Sequence, residues 1–331
     1  MNSKNTKYHF LFIGDTYMHI LEHIEDLILK GQDIPDKYMN YIRSNRILAL
    51  RWSCDNGRLD MAKWLYKQSL VDNIMIDINA YNEYAFQRLC CNGHIHMAKW
   101  LYDLSLNTNT KIDIHIDNEN PFAWSCRNGH LELAKWLYNL SKHDGNTKIN
   151  IHAKNEQIFS WTCKNGHLET AKWLYCLSLI DQNSKINIHA NNEYAFTRSC
   201  ANGYLQTAKW LYCIAKKDDT KINIHIDNEY AFHFSCINGY LDTTKWLYCL
   251  SKIDNLIKIN IHTDKELAFQ LSCISGHLET VKWLYNLSQI DDNGIIDIDI
   301  ISDCAFEQSY NNNNHDVTKW LCSLYHNEST Y

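Results

Sequence analysis

The amino-acid sequence predicts an all-α repeat solenoid, built from helix–turn–helix units that are joined by short extended fingers. A Lys-Trp-Leu motif recurs eight times, at steps of 36 or 37 residues from Trp64 to Trp320. Seven copies carry a phenylalanine 14 residues before the tryptophan, whereas the next phenylalanine follows the tryptophan after 22 or 23 residues. The unit is therefore constant and its connection varies in length, which is typical of tandem repeats.

Residues 1–47 lack the repeat motif and are predicted to form a helical cap or a degenerate repeat. Asp15 is suited to cap a first helix that Gly31 ends, and Ile34-Pro35-Asp36 is suited to begin a second helix. A polar tail, which we expect to be disordered, closes the chain. The predicted repeats span 48–83, 84–119, 120–156, 157–193, 194–229, 230–266, 267–303 and 304–325, and the tail spans 326–331.

A tight turn is predicted between the two helices of each unit. Glycine lies seven residues before the tryptophan in seven copies, and Asn313 takes this position in the eighth. Both residue types accept a positive φ. After the turn, Leu131, Ala134 and Leu137 share one helical face that must be buried. Before the turn, Pro121 suits the first turn of a shorter helix.

The connection after each second helix ends in isoleucines that alternate with polar residues, as from Lys148 to His152. This alternation is typical of a short extended segment, so we expect a finger that projects from the helical stack. The tryptophan ring of each unit is expected to pack against the following repeat. A lysine precedes each tryptophan, and an acid three residues earlier, as in Glu132 with Lys135, predicts ion pairs on the helix surface.

Cysteine and histidine also recur by repeat position, which raises the question of metal sites. Adjacent helices of a stack lie about 8–10 Å apart, too far for a disulfide or for shared metal ligands. The cysteines are therefore predicted to be small buried hydrophobes, and no metal or other cofactor is expected. The recurring residues are Cys54, Cys90, Cys126, Cys163, Cys200, Cys236 and Cys273 in one position and His115, His152, His189, His225 and His262 in another.

These motifs resemble the ankyrin repeat. Its Gly-His-Leu-Glu sequence and the helix that follows are matched from Gly166 to Tyr175, and its paired alanines are matched by Ser199-Cys200. Its opening Thr-Pro-Leu-His survives in part as Asn120-Pro121-Phe122. The usual period is about 33 residues, so the connections here are longer. The Asn-Gly-His-Leu-Glu and Lys-Trp-Leu-Tyr sequences are most similar to ankyrin proteins of giant DNA viruses that infect amoebae.

Composition and charge favour an intracellular protein. A net charge of −6 argues against nucleic-acid binding by bulk electrostatics. No apolar run is long enough to span a membrane or to form the core of a signal peptide. Thirteen cysteines cannot all pair within one chain and suit a reducing compartment. We expect a monomer in the cytoplasm, or in the host cytoplasm if the protein is viral, that binds neither nucleic acid nor membranes.

Partner contacts are sought where the copies differ. One variable position lies two residues after the phenylalanine, and another directly follows the recurring cysteine. Tryptophan and arginine, which dominate protein–protein hot spots, are frequent in the first position. The resemblance implies that this end of the first helix and the fingers line a concave groove. The candidate partner-binding residues are Arg88, Trp124, Arg127, Trp161, Lys164, Arg198, Phe234, Ile237 and Ile274.

The sequence therefore predicts a non-catalytic scaffold that binds a protein partner, a host protein if the chain is viral, through the groove and fingers. An alternative is a substrate adaptor for a host ubiquitin ligase, with a docking segment in residues 1–47. A third hypothesis is a metal-dependent enzyme. No nucleophile elbow, phosphate loop or paired metal motif supports the enzyme, and the histidines and acids recur by repeat position instead of forming one cluster.

Overall fold

The computed structural model describes residues 15–74, 76–78, 80–107, 111–143, 147–180, 184–253, 258–290, 294–296 and 298–328. Within these residues the chain forms helices and no β-strand. The helices are α1 (Asp15–Leu29), α2 (Asp36–Ser44), α3 (Arg46–Asp55), α4 (Leu59–Val71), α5 (Ala80–Asn92), α6 (Ile95–Asn107), α7 (Ile116–Arg127), α8 (Leu131–His143), α9 (Ala153–Lys164), α10 (Leu168–Ile180), α11 (Ala190–Ala201), α12 (Leu205–Lys217), α13 (Ile226–Ile237), α14 (Leu241–Ile253), α15 (Thr263–Ser275), α16 (Leu278–Ser288), α17 (Ile298–Asn311) and α18 (His315–Glu328).

From α3 onward the helices alternate between a first and a second helix of each repeat. Within each unit, a first helix packs against the second helix of its own repeat, as α11 does against α12, and against first helices of neighbouring repeats of that unit, as α11 does against α13. The predicted class, an all-α repeat solenoid, is confirmed. The chain divides into two compact units, residues 1–150 and 151–331, whose boundary falls in a finger. The two units are described separately below as unit 1 and unit 2.

The turn between the two helices favours glycine for two reasons. In unit 2, Gly203 has a φ of +76°, a conformation that other residues adopt at a cost. A Cβ atom on Gly203 would also lie 2.4 Å from Cδ1 of Tyr240, the ring that begins the next second helix. Asn313, which replaces glycine in the last copy, has a φ of 62°. The predicted turn is therefore confirmed in both forms.

In several repeats a hydrogen bond from the turn asparagine reaches back to the preceding repeat. The side-chain amide of Asn202 donates to the carbonyl oxygen of Lys164 at 2.8 Å, and that of Asn238 donates to the carbonyl oxygen of Ala201 at 2.8 Å. Unit 1 has the same bond from Asn128 to Cys91, at 2.7 Å. The acceptor in each case is the residue that follows the recurring cysteine. These bonds hold the turns of successive repeats in register.

The fingers lie against the core, with alternating burial. Ile112 and Ile114 are 1% exposed, whereas Asp113 between them is exposed to solvent. The alternation predicted from the sequence is thus confirmed as alternating burial. The amide of Ile112 donates to Oγ of Ser105 at 3.2 Å, so the finger is also tied to the helix that precedes it.

Five of the described fingers lead into a left-handed turn that the sequence analysis did not predict. Asp117, Asn118 and Glu119 have φ values of 52°, 60° and 69°, and right-handed helix begins only after them. Pro121 therefore lies in the first turn of the right-handed part, as predicted. The same conformation recurs at residues 154–156, 191–193, 227–229 and 264–266.

The glutamate that ends this turn is buried and links two repeats. Glu193 is 5% exposed; its carboxylate accepts a hydrogen bond from Nδ1 of His189 at 2.9 Å and another from the amide of Asn223 at 3.2 Å. His189 lies four residues earlier in the same repeat, whereas Asn223 belongs to the next finger. The recurring histidines thus form hydrogen bonds with the glutamates that end the left-handed turns. The other histidine–glutamate pairs are His115–Glu119, His152–Glu156, His225–Glu229 and His262–Glu266.

The core confirms the prediction for the recurring cysteines. All seven are 0% exposed, as are the recurring phenylalanines from Phe86 to Phe269. Burial raises the pKa of the Cys236 thiol to about 12, because the charged form would lose its hydration. The thiol therefore stays protonated and behaves as a small apolar group.

The tryptophan rings pack in the opposite direction from the one predicted. Trp210 contacts Tyr175 edge-to-face at a centroid distance of 5.9 Å and Phe159 at 6.2 Å, and both partners belong to the preceding repeat. The expectation that each ring packs against the following repeat is therefore wrong. A side chain on a helix leans toward the N-terminus of that helix, and sequence spacing alone does not show which neighbour it meets. Trp210 is half-buried.

The ends of the chain agree in part with the predicted helices, since α1 includes Asp15, which was expected to precede the helix as its cap. Helix α1 begins at Asp15, Gly31 follows it with a φ of 64°, and α2 begins directly after Pro35. At the other end, α18 continues to Glu328, so the expected disorder of the tail is wrong for residues 326–328. Residues 329–331 lie outside the described residues, as do residues 1–14.

Candidate functional site

The predicted partner-binding residues all lie on first helices. Eight of them are half-buried, and Phe234 is 38% exposed. The position that follows the recurring cysteine has a structural role in its backbone, because its carbonyl accepts the hydrogen bond from the next turn. The side chain at this position can therefore differ between repeats. Four of the predicted contacts occupy it, namely Arg127, Lys164, Ile237 and Ile274.

In unit 1 the cationic candidates have partners within the unit. Nε of Arg88 donates to Oδ1 of Asp55 at 2.6 Å, and this hydrogen bond raises the pKa of the Arg88 guanidinium. The guanidinium of Arg127 lies over the ring of Trp124, 4.7 Å from its centroid. The charge of Arg88 is therefore largely neutralised, whereas Arg127 and Trp124 form a cation–π pair.

In unit 2 the same face carries a continuous stack of cations and rings. The guanidinium of Arg198 lies between Tyr194, 5.2 Å from its ring centroid, and Tyr230, 4.4 Å from its ring centroid. Phe234 stacks on Tyr230 at a centroid distance of 4.2 Å and an interplanar angle of 24°. Nζ of Lys164 lies 3.5 Å from the hydroxyl of Tyr194. We call Lys164, Tyr194, Arg198, Tyr230 and Phe234 the arginine–tyrosine ladder.

The charge of the ladder differs from that of the equivalent positions in unit 1. Arg198 and Arg88 occupy the same position in their repeats, and Lys164 occupies the position of Asp55. A lysine thus replaces the carboxylate that neutralises Arg88. Across the described ranges of the chain, neither Arg198 nor Lys164 has a carboxylate within ion-pair distance. The ladder can therefore accept a carboxylate from outside the chain.

The two tyrosines of the ladder were not among the predicted site residues. Tyr194 and Tyr230 each lie two residues before the recurring phenylalanine, as Tyr84 does in unit 1. Arg51 lies over the ring of Tyr84, 4.9 Å from its centroid. The recurrence of tyrosine at this position, near arginine in the next turn or in a neighbouring repeat, was a signal that could have identified them.

Ile237 and Ile274 continue the face of unit 2 as half-buried apolar side chains. Trp161 is also half-buried. The described residues contain no group of three or more histidine, cysteine or acidic side chains placed to hold a metal ion. None of the described helices combines the length and the apolar character needed to cross a membrane.

Comparison with known proteins agrees with this architecture. The family model for ankyrin repeats matches the chain in three copies, over residues 50–149, 86–188 and 196–297. No curated protein matches the chain. Ankyrin repeats are generally protein–protein interaction modules. Because the three matches span most of the sequence and the helices form the repeat that the family model describes, the chain belongs to the ankyrin-repeat family.

Proposed function

We propose that this chain is a non-catalytic scaffold that binds an acidic segment of a protein partner on the first helices of unit 2. The observation that carries the proposal is Arg198, which is held between two tyrosine rings without a carboxylate partner in the described part of the chain. Lys164 adds a second positive charge beside Tyr194. The exposed Phe234 ring, stacked on Tyr230, offers an apolar contact next to the charges.

The composition of the ladder favours binding at low entropic cost. Arginine and tyrosine are enriched among residues that dominate interface energies. The stacked rings restrict the guanidinium of Arg198 before any partner arrives, so less side-chain freedom is lost on binding. A carboxylate that approaches the free edge of the guanidinium can form two parallel hydrogen bonds. A partner segment with an acidic residue followed by an apolar residue would fit Arg198 and Phe234 together.

Arg198→Ala should abolish or strongly weaken binding. Peptides would be selected from a displayed library on the wild-type protein, and their dissociation constants would be measured by fluorescence polarisation. Loss of a central arginine should raise the dissociation constant at least about tenfold, which corresponds to about 1.4 kcal/mol. Arg198→Lys should recover only part of the loss, because lysine keeps the charge without the planar stacking.

Lys209→Ala is the matched control, because Lys209 belongs to the same repeat but lies on the second helix, α12. It removes the same charge from the protein and should leave affinity unchanged. Equal affinities for Arg198→Ala and Lys209→Ala, with both variants folded by circular dichroism, would show that the ladder is not the interface.

The cellular compartment in which the partner is bound and the role of residues 1–47 are further parts of the proposal. The resemblance to ankyrin proteins of giant viruses would make the partner a host protein in the cytoplasm. For residues 1–47, the contacts favour a cap over a separate docking module for a ubiquitin ligase. Helix α1 packs on α4, and Nε of Arg58 lies 3.4 Å from the carboxylate of Glu25. Deleting residues 1–47 should therefore lower stability, whereas an adaptor would lose ligase recruitment and keep its stability.

A further inference from the structure

A pocket of about 270 Å³ lies in unit 1, where α2 ends and α3 begins. It is far along the sequence from the arginine–tyrosine ladder and contains none of the residues predicted as partner contacts. One part of its wall is cationic and polar, and the other part is aliphatic. Its lining includes Arg43, Asn45, Arg46, Ile47, Ile74 and Ile76.

Arg46 is buried in the wall of this pocket with unused hydrogen-bond donors. Its side chain is 6% exposed, and its Nη2 donates to Oδ2 of Asp72. Its Nε and Nη1 atoms are buried without a hydrogen-bond partner among the described residues. A buried guanidinium normally has its donors satisfied, so these two atoms indicate that an acceptor is missing.

The charge of the pocket is also incompletely balanced. Asp72 is shared between two arginines, because Nε of Arg43 donates to it at 3.1 Å and Arg46 donates to it as well. Asp36 also acts on Arg43 electrostatically, so Arg46, which has only a share of Asp72, is the guanidinium whose positive charge is least balanced. That charge favours an anion as the missing acceptor.

The start of helix α3 adds amide donors to the same wall. The first N–H groups of a helix have no acceptor within it, and they carry the positive end of the helix dipole. Asn45, at the N-cap position, makes no side-chain hydrogen bond to the helix. Its side-chain amide instead donates to the carbonyl oxygen of Tyr41 at 3.1 Å. The N-terminus of α3 therefore lies at the pocket wall without a capping hydrogen bond from a side chain.

The aliphatic part of the wall restricts what the anion is attached to. Ile47 is 39% exposed and Ile74 is 59% exposed, so both present apolar surface to solvent. Ile76 is buried at 6% exposure. An inorganic anion would satisfy the donors and leave this surface uncovered. An anion carried on an aliphatic residue would cover both, since burying apolar surface is favourable.

We propose that this pocket binds a carboxylate attached to an aliphatic residue, such as the C-terminal residue of a partner peptide. The carboxylate accepts hydrogen bonds from Nε and Nη1 of Arg46 and lies at the N-terminus of α3. The aliphatic side chain lies against Ile47 and Ile74. This site is separate from the proposed function, because it lies in unit 1 and does not involve the arginine–tyrosine ladder.

The test uses small probes and isoleucine methyl groups as reporters. Full-length protein with labelled isoleucine δ1-methyl groups would be titrated with N-acetyl-leucine, N-acetyl-leucinamide and inorganic phosphate. N-acetyl-leucine should shift the Ile47 and Ile74 signals saturably and leave the signal of the exposed Ile253 in unit 2 unchanged. N-acetyl-leucinamide should bind at least about tenfold more weakly, because it lacks the charge that strengthens the hydrogen bonds.

Two variants show whether the binding uses the pocket. Arg46→Gln removes the unused donors and should abolish the shifts, but it also removes a partner of Asp72 and could unfold the cap. Ile47→Asp avoids this difficulty, since Ile47 is exposed and an acidic residue is favourable in the first turn of a helix. Its carboxylate should repel the probe, so the Ile74 signal should no longer shift.

Three outcomes would overturn the proposal. Equal affinity for the acid and the amide would show an apolar groove without an anion site. Saturable binding of phosphate without binding of N-acetyl-leucine would show a site for free oxyanions. Absence of any saturable shift at Ile47 and Ile74 would show that the pocket has no ligand of this class. Binding to Arg198→Ala should be unaffected, which separates this test from that of the ladder.

Discussion

At the scale of single residues, the turn glycines show two separate reasons why a position has no Cβ atom. Gly203 needs a positive φ, and the ring of Tyr240 occupies the space where its Cβ would lie. Gly31, after α1, also has a positive φ, of +64°, but among the described residues no atom beyond its chain neighbours lies within 4 Å of where its Cβ would be. The two positions separate the cost of backbone conformation from the cost of crowding.

Gly203→Ala should therefore destabilise the protein more than Gly31→Ala. A left-handed conformation costs a residue with a Cβ about 1–2 kcal/mol, and both variants should show this loss. Displacement of the Tyr240 ring should add about 1–3 kcal/mol to the loss for Gly203→Ala. Urea unfolding monitored by circular dichroism would measure both. Equal losses would show that the ring moves aside freely and that only the backbone conformation matters.

At the scale of elements, four of the described fingers lead into a left-handed turn that ends in a buried glutamate. Three consecutive residues other than glycine adopt a positive φ, which is costly and persists only where surrounding contacts enforce it. Glu193 provides such contacts through His189 and the amide of Asn223. Removing the glutamate would leave that amide without an acceptor. The turn and the next finger are therefore stabilised together.

Glu83 is the equivalent glutamate in α5, and its environment predicts a pH dependence in unit 1. It is 7% exposed, and this burial raises its pKa from 4.5 to about 7. The hydrogen bond from the Asp113 amide lowers the pKa of Glu83, whereas the negative charge of the Asp113 carboxylate raises it. Between these values the folded protein retains a proton that the unfolded chain has lost, so the free energy of unfolding falls as the pH rises from about 4.5 to about 7.

Glu83→Gln should remove this contribution, and unfolding free energies at several pH values would measure it. Glu132→Gln is the control, because Glu132 is exposed, at 75%, on the surface of α8. The pH profile of the control should follow that of the wild type. A Glu83→Gln profile with the same slope as the wild type would show that Glu83 is ionised in the folded protein across this range.

The elements also show what the sequence could and could not predict. The turn glycines, the buried cysteines and the ion pairs such as Lys172 with Glu169, at 2.7 Å, follow from local spacing and are confirmed. The left-handed turns were missed because a run of three residues such as Asn191-Asn192-Glu193 contains no glycine. Asparagine and aspartate accept this conformation most readily, so their recurrence before the glutamate was the available signal.

At the scale of the whole molecule, stability is distributed over contacts between neighbouring repeats. Trp210 on α12 packs on Tyr175 and Phe159 of the repeat before it. The same edge-to-face contact recurs in unit 2 between Tyr212 and Trp246 and between Tyr248 and Trp283. These three tryptophans thus contribute to interfaces between neighbouring repeats, not to a central core.

Trp210→Ala should lower the free energy of unfolding by about 2–3 kcal/mol. This is below the usual cost of about 3–5 kcal/mol for removing a buried aromatic side chain, because the ring is only half-buried. Thermal melting and urea unfolding would measure the loss. Lys209→Ala, one residue earlier, should change stability by less than about 0.5 kcal/mol. Equal stability of the two variants would show that the ring contributes nothing to the interface.

At the same scale, the candidate site shows a limit of what can be predicted from the sequence alone. The sequence predicted Arg88 and Arg198 as equivalent contacts, because they occupy the same position in their repeats. The structure distinguishes them, since Asp55 neutralises Arg88 and two tyrosines enclose Arg198. Asp55 lies in the repeat before that of Arg88, and Tyr230 lies in the repeat after that of Arg198. The two arginines could therefore be distinguished only once the side-chain geometry between repeats was known.

Within each unit, three recurring contacts between repeats point backwards along the chain. The turn asparagines donate to carbonyls of the preceding repeat, the tryptophans pack on preceding tyrosines, and the finger amides donate to preceding glutamates. The ribosome synthesises the N-terminal end of the chain first. Each newly synthesised repeat therefore carries the hydrogen-bond donors and rings that contact a repeat which has already left the ribosomal exit tunnel. The order of synthesis is thus the order in which the interfaces can close, and no finished repeat has to wait for a segment made much later.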